Sequence, residues 1–118
     1  MKYMLLMYAK ETVAPNFTPA ETKQVQQDWF AFMNDAKAAG VLLENNGLSP
    51  TSNSTTVRVR DGKTLTSDGP FAETHEQLGG FSLLECKNLD EAISWATRIP
   101  TAKYGSIEIR PLWDYKPE

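Results

Sequence analysis

The residues best suited to proton transfer lie together in one short stretch of the sequence. Asp68, Glu73 and Glu76 fall within nine positions, and the single histidine, His75, lies among them. Carboxylates that repel one another, or that are partly buried, hold their protons more tightly and can then act as general acids or bases. This pattern favours acid–base chemistry, with Asp68 as the base and Glu73 as its partner.

The same stretch also has a purely structural interpretation. It begins with Asp68-Gly69-Pro70-Phe71. An aspartate that bonds to nearby backbone, a glycine that allows positive φ and a proline that fixes φ are typical of a tight turn. A histidine in a polar loop is simplest to explain as solvent-exposed. Two hypotheses stay open: a turn alone, or a turn that presents Asp68 at the rim of a cleft whose ligand contacts are Gly69, Pro70, Phe71 and His75.

Two further polar side chains could complete such a cleft. Arg110 follows Glu108 on the same face of a strand, where an unpaired charge would be costly. Arg110 then either pairs with Glu108 or Glu85, or binds an anionic ligand. Tyr8 could offer its hydroxyl to the same cleft, although packing in the core would explain this tyrosine equally well.

Metal and cofactor chemistry is not expected from this sequence. A single histidine, with no second histidine nearby and no Cys-x-x-Cys, falls short of the usual metal-ligand spacings. Cys86 ends an apolar run, where a cysteine usually behaves as a small hydrophobic residue.

Length and composition exclude several classes of protein. The 118 residues predict a single domain, 1–118, and 12 basic against 15 acidic residues leave a net charge of −3. A nucleic-acid-binding protein would need a basic stripe, so nucleic acid is not an expected partner. The apolar runs are too short to span a membrane, and a lone cysteine is typical of a reducing compartment. We therefore expect a cytoplasmic protein with no membrane partner.

Hydrophobic periodicity and capping residues predict the secondary structure. Thr18-Pro19-Ala20-Glu21 is the start of a helix that Gly40 ends, and Asn88 caps a second helix that Pro100 ends. Asp61-Gly62 is a turn of a β-hairpin. The predicted strands are 2–8, 41–44, 55–60, 63–66, 78–86 and 106–112, and 45–54 has the composition of a loop.

This order of elements predicts an α+β fold. The order is strand, helix, strand, inserted hairpin, strand, helix and strand. It predicts that the strands form an antiparallel sheet with both helices on one face, and that the hairpin is an appendage with a polar and an apolar side. The first strand, Lys2–Tyr8, is apolar at adjacent positions, so the face without helices also needs cover. A second copy of the chain is the simplest cover, which predicts a homodimer.

The sequence resembles a known family along nearly its whole length. Asp68–Phe81 resembles the defining motif of the DGPF proteins, which belong to the wider YCII-related family. Lys2–Leu6, Val57–Gly62, Leu89–Ala92 and Ile107–Pro111 are similar to that family in the same order. The resemblance implies a ferredoxin-like βαββαβ sandwich with an inserted hairpin, of the dimeric α+β-barrel type, in which two sheets face each other.

The resemblance implies less about chemistry. The YCII branch is thought to use a His–Asp pair, by analogy with muconolactone isomerase-like enzymes, but the helix over 18–40 contains no histidine. That mechanism therefore does not carry over, and His75 stands where DGPF relatives usually have lysine. Many DGPF proteins are encoded beside extracytoplasmic-function sigma factors.

Three hypotheses about function follow. The first is a cofactor-independent lyase or isomerase of a small carboxylate-bearing metabolite, with Asp68 as base, Glu73 as its partner and Arg110 as anion anchor. The second is a non-catalytic ligand-binding or regulatory module linked to sigma-factor signalling. The third is a dimerisation unit whose cleft is filled by Phe71 and Tyr8.

Overall fold

The computed structural model describes residues 1–114 and confirms the predicted order of elements. Within these residues lie the strands and helices β1 (Lys2–Ala9), α1 (Pro19–Ala38), β2 (Leu42–Gly47), β3 (Thr55–Arg60), β4 (Lys63–Asp68), β5 (Gln77–Glu85), α2 (Leu89–Ala96) and β6 (Ser106–Pro111). Strands β2, β5, β1 and β6 pair in this order into one antiparallel sheet, while β3 and β4 form a separate hairpin. The fold is α+β and consistent with a ferredoxin-like arrangement.

The helices cover one face of the main sheet. Alternate residues of β1, namely Tyr3, Leu5 and Met7, are buried in a core that also contains Phe32 of α1 and Ala92 of α2. Because successive side chains of a strand point to opposite faces, the intervening positions of β1 lie on the face without helices. These positions are only half-buried. We call this second surface the open face.

The predicted caps start both helices. The Thr18 backbone N–H donates to Glu21 Oε1 (3.0 Å), and the Glu21 N–H donates to Thr18 Oγ1 (3.1 Å), which completes a capping box. Hydrogen bonds from the Thr18 backbone and side chain lower the pKa of Glu21. At α2, the Glu91 N–H donates to Asn88 Oδ1 (3.0 Å). Each cap satisfies a backbone donor that the first turn leaves free.

Helix α2 ends earlier than its proline stop predicts. The last helical residue is Ala96, and Pro100–Lys103 forms a separate 3-10 turn. The N–H groups of Arg98 and Ile99 donate to carbonyls three residues back rather than four. This tightening of the final turn ends the α-helix before the proline can do so.

Strand β2 is longer than predicted, because tertiary pairing overrides a loop-like composition. Asn45, Asn46 and Gly47 lie opposite Ser82, Phe81 and Gly80 of β5. The Ser82 hydroxyl, which is fully buried, donates to Asn45 Oδ1. The β5 backbone therefore extends a strand through residues that favour a loop in isolation.

The hairpin β3–β4, which we call the arm, projects from the main sheet. Asp61 (φ 52°) and Gly62 (φ 74°) form its predicted turn. Val57, Val59 and Leu65 are 60%, 61% and 50% exposed, so both sides of the arm face solvent in the single chain, where the sequence predicts a half-exposed hairpin. The chain extends over 49 × 48 × 18 Å with a radius of gyration of 16.7 Å. A compact chain of this length would have about 13.5 Å.

Neither helix of residues 1–114 combines the length and the apolar character needed to cross a membrane.

Candidate functional site

Two cavities lie on opposite sides of the sheet, at the end where β1 finishes and β5 begins. The helix-side cavity has a volume of about 450 Å³, and its lining includes Met7, Trp29, Met33, Asn45, Gly80 and Tyr104. The loop-side cavity has a volume of about 610 Å³, and its lining includes Tyr8, Leu48, Pro70, Phe71, Glu76 and Leu78. Both volumes lie in the range of small-molecule sites, which is roughly 300–1,000 Å³.

The loop-side cavity occupies the position of the predicted cleft. Tyr8 comes from β1, and Pro70 and Phe71 come from the loop that joins the arm to β5. These three predicted ligand contacts are therefore brought together. Phe71 is 76% exposed, so it borders the cavity without filling it. The cavity is open in the single chain, unlike the filled cleft expected of a simple dimerisation unit.

The motif that begins at Asp68 forms a tight turn. Gly69 has φ +91°, a conformation that a glycine adopts without the steric cost of a Cβ. Its N–H donates to Ser54 O (2.7 Å), and its carbonyl accepts from Thr56 Oγ1 (2.8 Å). The turn therefore anchors the loop to the base of the arm, as the structural interpretation of the motif requires.

The structure does not bring the two predicted catalytic carboxylates into a cavity. Asp68 is the last residue of β4, pairs with Thr55 and is exposed, and Glu73 is exposed in the following loop. Neither lines the helix-side or the loop-side cavity, and neither does His75, which is exposed as well. Their roles stay predictions from sequence.

Glu76 is the carboxylate that lines the loop-side cavity. The Ser106 hydroxyl donates to Glu76 Oε1 (3.0 Å), and the Tyr8 hydroxyl lies 3.5 Å from Glu108 Oε1. Ser106 stands opposite Tyr8 in the β1–β6 pairing, and Glu108 stands opposite Leu6. Two hydroxyls and two carboxylates therefore meet at one end of the open face, an arrangement able to accept and donate protons.

The sequence predicts Asp68 and Glu73 rather than Glu76 as the catalytic carboxylates, and it predicts no role in the site for Ser106 or Glu108. Alternation places Ser106 and Glu108 on one face of β6, and this signal is present in the sequence. What brings them to Tyr8 is the register between β6 and β1, which the sequence pattern does not contain.

The predicted anion anchor, Arg110, lies beyond Glu108 on the same face of β6 and does not line the loop-side cavity. Arg110 stands opposite Met4, four positions along β1 from Tyr8. At about 3.3 Å per residue, this separation is roughly 13 Å. A different cation contacts the cavity wall, because Arg58 Nη2 donates to Phe71 O (3.5 Å). Alternation along 55–60 predicts that Arg58 lies on the polar side of the hairpin and gives no signal for this contact.

A hydrogen-bonded clamp holds together the loops around both cavities. Gln77, which lines both, donates from Nε2 to Thr74 O (2.6 Å) and accepts from the Glu11 N–H (3.0 Å). The Glu11 carboxylate in turn accepts from Thr51 N–H (2.6 Å) and Thr51 Oγ1 (2.9 Å). The segment after β1, the segment before the arm and the loop before β5 are thereby tied to one another.

Cys86 does not have the surroundings of a reactive thiol. Burial raises the pKa of Cys86, and the nearby Glu91 carboxylate raises it further. Because the thiolate is the nucleophilic form, this environment favours the inert thiol. Among residues 1–114, no three histidine, cysteine, aspartate or glutamate side chains are grouped closely enough to hold a metal ion.

Comparison with known proteins agrees with the fold. The family model of the YCII-related domain matches residues 1–116. An uncharacterized protein of Rhizobium meliloti (strain 1021) is 41% identical to the chain over 119 residues, which cover 99% of this chain and 96% of that protein. The match spans the arm, both helices and the main sheet. The chain belongs to the YCII-related domain family.

Proposed function

We propose that the protein binds a small carboxylate-bearing metabolite in the loop-side cavity and converts it as a cofactor-independent lyase or isomerase. The observation that carries this proposal is the contact of Glu76 with Ser106 beside the contact of Tyr8 with Glu108. Such reactions need a proton acceptor at the carbon that loses its proton and a proton donor at the leaving group or at the atom that is protonated in its place. Glu76 serves as the acceptor, and the Tyr8 hydroxyl serves as the donor.

Arg58 supplies the positive charge for the substrate. Its guanidinium already contacts the backbone of Phe71 at the cavity wall. A guanidinium can bind a carboxylate through two parallel hydrogen bonds, which fixes the orientation of the substrate as well as its charge. In this arrangement Arg58 takes the role that sequence reasoning assigned to Arg110.

The proposal includes a homodimer that covers the open face. Met4 and Leu6 of β1 and Phe81 and Leu83 of β5 alternate with the buried core positions and stay half-exposed. A contiguous apolar surface of this kind usually marks an interface. A second copy presents the same surface and is complementary to it under two-fold symmetry. A cytoplasmic location stays a prediction that rests on the single cysteine.

Light scattering tests the dimer. We expect a mass of twice the chain mass of 13.2 kDa. Leu6→Asp places a charge at the centre of the open face and is expected to give a monomer that keeps its circular dichroism spectrum. Phe30→Glu, on the solvent side of α1, is the matched control and should stay dimeric. A wild-type monomer at every concentration would contradict the dimer.

A thermal-shift screen followed by a turnover assay tests the activity. Lactones and small aromatic and dicarboxylic acids are suitable probes. A ligand at about one hundred times its dissociation constant stabilises the fold by about 2.7 kcal/mol, which raises the melting temperature by roughly 10 °C. Proton NMR in D₂O then shows whether a bound compound exchanges or loses a proton.

Glu76→Gln is expected to reduce turnover about 10²–10⁴-fold while the thermal shift persists, because only the proton acceptor is lost. Glu73→Gln, an exposed carboxylate outside both cavities, is the matched control and should keep full activity. Asp68→Asn tests the alternative base. Full turnover in Glu76→Gln, or its loss in Asp68→Asn alone, would overturn the assignment of Glu76.

The second candidate function is a non-catalytic regulatory module, linked to sigma-factor signalling. The observation that favours it is the exposed apolar arm, since surfaces of this kind are typical of protein–protein contacts. A saturable ligand that remains chemically unchanged during prolonged incubation would favour this module over the enzyme.

A further inference from the structure

We propose that the helix-side cavity is a second ligand site, which binds a small flat aromatic molecule that carries a carboxylate. This site lies on the other side of the sheet from the one that the proposed function uses. Its lining is mainly apolar, with a few polar groups, which is the usual make-up of a small-molecule site.

The cavity exists because side chains on the helix-facing side of the sheet become smaller toward one end. Along the paired strands β5 and β2, the facing residues change from Leu84 and Leu42 to Ser82 and Asn45, and then to Gly80 and Gly47. A straight helix cannot approach the sheet more closely where these side chains shrink. Space therefore opens between α1 and the two glycines, whose backbone forms the floor of the cavity.

The walls of the cavity suit an aromatic ring. Trp29 and Met33 lie one turn apart on α1, Met7 comes from β1, and Tyr104 comes from the segment before β6. Thioether sulfur and aromatic edges both make favourable contacts with an aromatic ring. A flat ring can therefore lie on the glycine floor with aromatic and methionine side chains above and beside it.

Asn45 supplies a hydrogen-bond donor to this apolar space. Its Oδ1 accepts from the buried Ser82 hydroxyl, which fixes the orientation of the amide. Within residues 1–114, Asn45 Nδ2 donates to Met33 Sδ at 3.7 Å. A thioether is a weak acceptor. A ligand oxygen would give this amide a stronger partner than the sulfur does.

Two charged side chains, Lys10 and Glu11, line the cavity, and they differ in how far they are engaged by other groups of the protein. The Glu11 carboxylate is already occupied by the N–H and the hydroxyl of Thr51. Lys10 lines the same cavity, is exposed and forms no ion pair within the described part of the chain. These neutral donors leave the charge of Glu11 in place but direct its oxygens toward Thr51, so Lys10 is the charged side chain left to contact a ligand, and its ammonium complements a carboxylate on the ring.

Titration with 1-naphthoate tests the proposal, and 1-methylnaphthalene is the probe without the carboxylate. We expect saturable binding of 1-naphthoate at up to millimolar concentration, with shifts of the Trp29 indole and Met33 methyl resonances. Lys10→Gln should weaken binding of 1-naphthoate several-fold and leave that of 1-methylnaphthalene unchanged. No saturable binding, or shifts confined to other tryptophans, would overturn the proposal.

A side chain built into the cavity provides the sharper test. A Cβ at Gly47 meets no atom within 4 Å, so Gly47→Val fills the floor without displacing backbone and should weaken 1-naphthoate binding about tenfold or more, a change of about 1.4 kcal/mol. The control is Ala72→Val, which also adds a branched side chain but at a residue that lines the loop-side cavity and not this one. Equal binding by both variants would contradict the site.

The ligand site in the helix-side cavity and the activity proposed for the loop-side cavity are tested independently of each other. Glu76→Gln should leave binding of 1-naphthoate unchanged, because Glu76 lines the loop-side cavity alone. Loss of 1-naphthoate binding in this variant would place the probe in the loop-side cavity and would overturn the second site.

Discussion

Replacement of Gly105 by alanine is expected to lower the melting temperature by about 12 °C or more, or to prevent folding. A Cβ at this position would lie 2.0 Å from Tyr8 O and 2.9 Å from Ala9 Cβ. Both atoms belong to β1, a central strand of the main sheet. Relief of the overlap requires a shift of β1 or of the chain entering β6. Overpacking of this severity costs about 3 kcal/mol or more, at about 4 °C per kcal/mol.

Gly47→Ala is the matched control for this effect. The substitution is the same, the residue also lies at a strand end, and the new Cβ meets no atom within 4 Å. Its effect on the free energy of unfolding should stay within about 1 kcal/mol, because the change acts mainly on the unfolded chain. Thermal unfolding followed by circular dichroism measures both variants. Equal melting temperatures for the two would show that the tight approach of Gly105 to β1 is not present.

Replacement of Phe32 by alanine is expected to lower the free energy of unfolding by about 3–5 kcal/mol. The ring is fully buried, and it packs edge-on against Trp29 (6.0 Å between centroids) and Trp95 (6.2 Å). Phe32 therefore joins α1 to α2 over the sheet. Its loss leaves a cavity that the rigid sheet and two tryptophans cannot fill, in addition to the lost aromatic contacts.

Phe30→Ala is the control for Phe32→Ala. Phe30 belongs to the same helix but is 66% exposed, so its truncation should change stability by no more than about 0.5 kcal/mol. Urea unfolding of the three proteins measures the difference. If Phe32→Ala does not fold, Phe32→Leu should still lose roughly 1 kcal/mol or more. Similar losses at the two positions would contradict the central place of Phe32 in the core.

The candidate site shows which positions local sequence determines and which depend on strand pairing. Tyr8, Pro70 and Phe71 were predicted to share a cleft and do line one cavity. Pro70 and Phe71 are linked through a turn whose chemistry is local, and this turn is visible in the motif. Arg110 was assigned to the same cleft but lies opposite Met4, because the pairing of β6 with β1 sets its distance from Tyr8.

The sequence by itself determined the elements of this protein. The capping box at Thr18, the cap at Asn88 and the turn at Asp61-Gly62 are interactions between residues no more than three positions apart, so their residue types are sufficient to predict them. The alternation of apolar residues also predicted a sheet covered by helices on one face, since periodicity records which side of each element is buried.

The tertiary structure alone decided which side chains meet around the two cavities. The extension of β2 to Gly47, the meeting of Glu76 with Ser106 and the contact of Arg58 with Phe71 each join residues from different elements. The helix-side cavity likewise depends on which residues of β5 and β2 stand opposite each other. Registers between strands are set by packing and pairing across the whole sheet, and a one-residue change would turn every side chain of a strand to the other face.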